Sequence, residues 1–378
     1  MILTSKEEII RRCKLIREKM NQSGLKVLVI FAQDQLSYSG AVRYITNYHL
    51  TARKEYLVSP LSGEPVLILS TLGQTIHAKA VSWIKDIRTG GETELMIREV
   101  VGALQTLKVK RNEIGIVGLN TVMPYYDFHL LQKGMPDYVF QDASELLNEV
   151  RWTKSPEEIG MIQETTEIAE LCYSRLLKIL RVGIDEMEVI SEVYKVLVAH
   201  GVEDKLILTT KGPSSPGFIN FPSPYIFKER DHYIFSVEIS GPSGYWSQII
   251  RPLCLGQTTP EYERLFEVGK TALEAGVSRL IPGNTIGEVA KTISEKVKER
   301  GFKTGHWSGH GMGLDLGDGI GLFPECPIKV KEGMVLTIHP HIMSSDGKQG
   351  LLLGDTFVVE NSRARNFSNS LPNRILCI

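Results

Sequence analysis

Cysteine is sparse in this chain: Cys13, Cys172, Cys254, Cys326 and Cys377 are scattered over 378 residues, odd in number and never spaced as a C-x-x-C pair. That excludes a disulfide framework and a thiolate zinc site, and points to reduced thiols in a cytoplasm. Charge of either sign is equally lacking in excess: 43 basic against 44 acidic residues leave a net charge of −1, with no long-range field to gather nucleic acid or an anionic membrane. A small or neutral partner fits better. No run approaches the length of apolar residues that a membrane span requires, and the charged start MILTSKEEIIRRCKLIREKM has no apolar segment of the signal-peptide kind. Low-complexity tracts are missing as well.

What is present is length and alternation. The chain of 378 residues exceeds the roughly 250–300 that one hydrophobic core supports, so two domains are expected. Residues 5–22 read as an amphipathic helix, with Ile9, Ile10, Cys13, Ile16 and Met20 on its apolar face. β-like runs then alternate with helical ones: Lys26–Phe31, Glu55–Val58, Pro65–Leu69, a helical stretch around Ala80, and Glu113–Val117. This is the signature of an α/β domain. Between two of those runs lies VRYITNYH, whose Arg43 and Tyr44 are candidates to reach a ligand; the alternative is an ordinary loop with structural aromatics.

A boundary falls near Val150. In TKSPEEI, Ser155 is placed to cap a helix, Pro156 fits its first position and Glu158 completes a capping box. This divides the chain into residues 1–150 and 151–378. The new helix has Ile159, Ile162, Ala169, Cys172, Leu176 and Ile179 on one face, and a second runs from about Glu186 to His200 and stops at Gly201. One hundred residues further on, the plan repeats: Leu180, Gly183, Glu188, Val189 and Gly201 match Leu280, Gly283, Glu288, Val289 and Gly301. Two copies of one unit imply a pseudo-symmetric domain with helices outside, strands inside and a cleft between the halves. After the first copy, Tyr233–Ile239 and Tyr245–Leu255 read as a hairpin, with His232 as a turn residue before it. After the second copy, Gly305 to Glu360 packs GHWSGHGMGLDLGDG, EGMVLTIHPHI and GLLLGDTFVVE into one stretch. Its polar content is His310, His339, His341 and Asp355.

Together the early helix, the TKSPEEI linker, the duplication and the motifs GYWSQIIR, GHGMGLDL, EGMVLTIHP and GDTFVVE resemble the "pita-bread" superfamily of creatinase, prolidase, aminopeptidase P and methionine aminopeptidase. The resemblance covers nearly the whole chain. It implies a creatinase-like amino-terminal α/β domain, a duplicated α+β carboxy-terminal domain and a homodimer in which Arg43 and Tyr44 of one subunit approach the cleft of the other. Peptidases of this superfamily hold two divalent metals with two aspartates, one histidine and two glutamates. Set against that pattern, this chain keeps His310. The first aspartate falls at or beside Glu238, the second at Gln248, the first glutamate at His339 and the second at Gly354; a further peptidase histidine is replaced by Gly317. Creatinase works without the metal set through a histidine in the loop after the first repeat, yet Lys211 to Arg230 contains no histidine.

The grouping that remains is Glu238, His310, His339, His341 and Asp355 as acid/base groups, with Arg43, Tyr44, Tyr245, Arg251 and Trp307 as substrate contacts. Glutamate beside neutral imidazole suits proton transfer near pH 7. The expected activity is metal-independent hydrolysis of a C–N bond in a small polar or dipeptide-like substrate, with no cofactor. Three alternatives stand beside it. The cleft binds a small-molecule or short-peptide ligand without chemistry; the histidines are relics paired in a polar core, with Trp307 only packing; or a single metal sits on His310, His339 and either His341 or Glu238.

Overall fold

The computed structural model describes residues 3–35, 38–214, 218–368 and 370–378. The chain divides into two compact units, Leu3–Arg151 with Leu314–Leu316, and Trp152–Gly313 with Gly317–Ile378. Among the described residues no helix is long and apolar enough to cross a membrane.

The first unit runs α1 (Lys6–Gln22), β1 (Val27–Gln33), α2 (Gly40–Thr46), β2 (Lys54–Pro60), β3 (Val66–Leu69), α3 (Leu72–Val81), β4 (Asp86–Thr89), α4 (Thr93–Thr106), β5 (Ile114–Val117), α5 (Tyr125–Gly134), β6 (Phe140–Asp142) and α6 (Ser144–Trp152). Its six strands form one mixed sheet in the order β4-β3-β2-β1-β5-β6. Helix α1 begins where Ser5 Oγ accepts from Glu8 N at 3.1 Å. Its buried face departs from the apolar pattern of the sequence: Ile10 is 58% exposed, while Arg12 is fully buried. Arg12 Nε donates to Glu8 Oε1 at 2.9 Å, its Nη1 donates to the Tyr44 carbonyl at 3.0 Å, and its guanidinium lies 4.2 Å from the centre of the Tyr44 ring. Those contacts hold the Arg43–Tyr44 segment as helix α2 rather than a loop, with both side chains buried.

The second unit contains α7 (Pro156–Ile179), α8 (Glu186–Ala199), β7 (Asp204–Gly212), β8 (His232–Ser240), β9 (Trp246–Cys254), α9 (Pro260–Arg279), α10 (Ile286–Glu299), β10 (Lys303–Thr304), β11 (Gly309–Gly311), β12 (Val335–Ile338), β13 (His341–Met343), β14 (Gly350–Leu352), β15 (Gly354–Val359), β16 (Ala364–Asn366) and β17 (Leu376–Cys377). The large sheet is ordered β11-β12-β15-β9-β8-β7, with β16 on β15 and β17 on β9; β10-β13-β14 form a small one.

The capping box at Ser155 and Glu158 is formed, with Pro156 in the first turn. The repeat is equally plain. Asp185 and Thr285 cap α8 and α10, and Gly201 and Gly301 end them at φ of 68° and 81°, a conformation only glycine adopts without strain. Each helix pair covers its own core. Tyr233, Phe235, Val237 and Ile239 of β8 pack against α7 and α8, whereas Leu336 and Ile338 of β12 join the core of α9 and α10. Because side chains alternate along a strand, the intervening residues of β8, namely His232, Ile234, Ser236 and Glu238, lie on the other face of the sheet. His232 is the first residue of β8, paired with Cys254 and buried, rather than a turn residue outside it.

Candidate active site

The inner face of the second unit's sheet carries the site. Glu238 of β8 pairs directly with Gln248 of β9, and His310 of β11 pairs with Thr337 of β12. Thr337 Oγ1 donates to Gln248 Oε1 at 2.9 Å, which turns the amide nitrogen towards Glu238 Oε2 and Ser236 Oγ, each at 3.3 Å. The other carboxyl oxygen, Glu238 Oε1, is buried without a hydrogen-bond partner and lies 3.4 Å from His310 Nε2. On the far side of that ring, Nδ1 is 3.1 Å from the Gly311 carbonyl, so Nδ1 carries the proton and Nε2 presents its lone pair to Glu238. Burial raises the Glu238 carboxyl to about 8, which leaves it largely protonated at neutral pH.

The histidines continue from there. The rings of His310 and His339 are 5.4 Å apart, those of His339 and His306 5.4 Å, and those of His306 and His341 5.0 Å. Burial, followed by the neighbouring His310, His306 and His341, holds His339 well below the usual imidazole range. Burial also lowers His306. Four imidazoles this close cannot all bear charge, and burial keeps His339 neutral. Its Nδ1 is buried with no hydrogen-bond partner, and its backbone N donates to the Ser308 carbonyl at 2.8 Å.

Of the sequence candidates, Glu238, His310, His339 and His341 are therefore brought together. Asp355 and Arg251 are not. Asp355 pairs with Ile249 and Ile338, both of which face the helix-side cores, so the alternation of β15 turns its carboxylate away from His310. There Arg251 Nη2 donates to Asp355 Oδ1 at 2.8 Å, with both residues buried, and the Arg251 backbone N donates to the Tyr173 hydroxyl oxygen at 2.9 Å. Tyr245 is likewise engaged elsewhere, its hydroxyl donating to Glu158 Oε1 at 2.6 Å in the first turn of α7. Trp307 is 57% exposed. Arg43 and Tyr44 belong to the other unit and are buried within it.

Three contributors went unnamed in the sequence. Ser236 and Thr337 stand two residues before Glu238 and His339, a spacing that places strand neighbours on one face. His306 stands four before His310, across the irregular segment between β10 and β11, where no periodicity could place it.

A sequence profile of the metallopeptidase family M24 matches residues 160–361, and one of the creatinase/prolidase amino-terminal domain matches residues 12–153. The chain belongs to metallopeptidase family M24. An uncharacterized peptidase of Bacillus subtilis (strain 168), YqhT, is 23% identical over 343 residues, covering 89% of this chain and 93% of that protein. An uncharacterized hydrolase/peptidase of Sinorhizobium fredii, y4tL, is 24% identical over 400 residues, covering 98% and 96%. The M24 fold extends to solved structures. An X-Pro aminopeptidase from Thermotoga maritima superimposes with a TM-score of 0.85 at 18% identity, covering 97% of this chain and 99% of that one. An Xaa-Pro dipeptidase from Bacillus anthracis gives 0.83 at 19%, covering 98% and 100%.

Within this M24 frame positions 339 and 354 are in contact. A Cβ built on Gly354 would fall 2.6 Å from His339 Cβ and 2.5 Å from the Ile338 carbonyl oxygen. His339 thus occupies the room that a side chain at 354 would need. Among the described residues, no group of three or more His, Cys, Asp or Glu is arranged to hold a metal ion.

Proposed function

We propose that this M24 chain hydrolyses a C–N bond in a small amide or dipeptide-like substrate through a Glu238–His310 proton-transfer pair, without a dinuclear metal centre. The observation that carries the reading is the pair itself: a carboxyl raised to about 8 with a free oxygen 3.4 Å from an imidazole nitrogen whose tautomer is fixed from behind. Opposed protonation states at that distance are what an acid and a base need. The donor set supports the absence of two dications. Gln248 presents an amide nitrogen where bridging chemistry needs a carboxylate, Gly354 has no side chain, and His339 fills its space.

The cycle balances on these two groups. Water forms a bond to the substrate carbon while its proton passes to His310 Nε2. The C–N bond breaks, its electron pair stays on nitrogen, and the Glu238 proton neutralises that nitrogen. The imidazolium then returns its proton across the 3.4 Å gap to the Glu238 carboxylate. Gln248 orients Glu238 throughout, and neutral His339 is placed to bond the substrate through its unpartnered Nδ1.

The test is a panel of dipeptides and small amides against wild type, His310→Ala and Glu238→Gln. Both variants should lose turnover by about 100-fold or more, the usual worth of a general acid or base. In wild type, kcat/KM should fall as pH rises through about 8, where Glu238 loses its proton. Turnover that survives in His310→Ala, or that a chelator removes and added metal restores, overturns the reading.

A further inference from the structure

Two of the five cysteines meet across a sheet ladder. β17 runs parallel to β9, with Leu376 opposite Leu253 and Cys377 opposite Cys254. Backbone bonds hold that register beside the pair: Ile378 N donates to the Cys254 carbonyl at 3.0 Å, and Gly256 N donates to the Ile378 carbonyl at 2.7 Å. Leu253 and Leu376 both enter the core under α7 and α8, so the alternation of each strand turns Cys254 and Cys377 together to the opposite face. Neighbouring strands run about 4.8 Å apart, and a disulfide spans Cα separations of roughly 4.4–6.8 Å. The other three cysteines have no such neighbour. Cys13 is on α1, Cys172 on α7 and Cys326 in the irregular segment before β12.

The two thiols differ in access. Cys254 is fully buried, whereas Cys377 is exposed. Burial, and after it the neighbouring Cys377, pushes the Cys254 thiol up to about 11, so at neutral pH it stays protonated and shielded from a dissolved oxidant. An oxidant therefore reaches Cys377 first. We propose that Cys254 and Cys377 form a redox pair, in which a peroxide oxidises exposed Cys377 to a sulfenic acid and Cys254 captures it as a disulfide between β9 and β17.

The steps balance with the peroxide as oxidant. The Cys377 sulfur bonds to one peroxide oxygen, the O–O bond breaks, and the leaving hydroxide takes the thiol proton away as water. The Cys254 sulfur then bonds to the Cys377 sulfur, the S–O bond breaks, and the second hydroxide leaves with the Cys254 proton as water. Each sulfur gives up one electron and the peroxide is reduced to two waters. Capture of this kind stops oxidation at a stage that a thiol reverses. Such a disulfide is a transient sensor rather than a framework, in keeping with the scarcity of cysteine. It stands apart from the Glu238–His310 site, since Gln248 lies six residues earlier on β9, about 20 Å away at the rise of an extended strand.

Brief exposure of the native full chain to hydrogen peroxide, followed by alkylation and non-reducing peptide mass spectrometry, tests the pair. In wild type, peptides linked through Cys254 and Cys377 are expected, with two titratable thiols lost per chain and both recovered by dithiothreitol. Cys254→Ser should instead leave Cys377 as a sulfenic acid that dimedone traps, and further peroxide should carry it to acids that dithiothreitol does not restore. Cys377→Ser, at an exposed position where the fold tolerates the change, should leave Cys254 a free thiol under the same treatment. Dimedone labelling of wild-type Cys377 to the level of Cys254→Ser, with no linked peptide, overturns the proposal. So does loss of the Cys254 thiol in Cys377→Ser, or linkage of Cys377 chiefly to a second chain.

Discussion

Two buried carboxyls illustrate what single residues do here. Glu238 is raised to about 8 by burial and has His310 beside it, so its proton is available to chemistry. Glu55, fully buried on β2 with neither oxygen hydrogen-bonded, is also raised well above the usual carboxylate range, in a unit that holds none of the histidine cluster. Its effect is on stability. A carboxyl whose folded pKa exceeds its unfolded value stabilises fully below the unfolded value, about 4.3, and that contribution is lost as pH rises towards the folded one. The urea midpoint of wild type should therefore fall between pH 5 and pH 8, and Glu55→Gln should flatten that slope. An unchanged slope in the variant would place the pH dependence elsewhere. His339 works with the opposite sign. Its folded pKa is depressed, so its contribution is present above about 6.5 and is lost as pH falls below it.

At the scale of the element, β15 shows how register assigns roles. Its alternation puts Asp355 on the helix side and Gly354 on the inner face, where the first is committed to Arg251 and the second makes room for His339. Asp355→Asn should then destabilise the protein by about 3–5 kcal/mol, because it leaves a buried guanidinium without its counter-charge. The double replacement Asp355→Leu with Arg251→Met should recover most of that loss, and chemical denaturation of the three variants reads it. Gly354→Ala should also cost about 1–3 kcal/mol, since the added methyl meets a backbone oxygen at 2.5 Å and His339 at 2.6 Å. If Gly354→Ala is as stable as wild type, the two positions are not sterically linked. The alternation runs unbroken through GLLLGDTFVVE, with Leu351 and Leu353 in the helix-side core and Leu352 on the other face, but only pairing with β9 and β12 fixes which face turns inward.

For the whole molecule, a duplicated frame of helices and strands carries a polar inner face. The duplicated helix pairs, their caps and the paired glycines at 201 and 301 are those the repeat in the sequence predicts, while the inner face carries an amide, a glycine and a run of imidazoles. Exhaustive treatment with a chelator should leave both the melting temperature and the turnover of the proposed reaction unchanged. A fall of several degrees, reversed by a divalent metal, would mean that a resident ion contributes to the fold.

Local signals in the sequence determined the helix start at Ser155, the other helix ends, the hairpin of β8 and β9 and the repeat, because caps, glycines and strand periods act over a few residues. What only the tertiary structure decided was which side chains meet. It removed Asp355, Arg251 and Tyr245 to buried pairings and brought in Ser236, Thr337 and His306. It also set the carboxyl of Glu238 against His310, residues 72 positions apart in the numbering. Proton affinity depends on burial and on neighbours across strands, and neither is a property of any short stretch of chain.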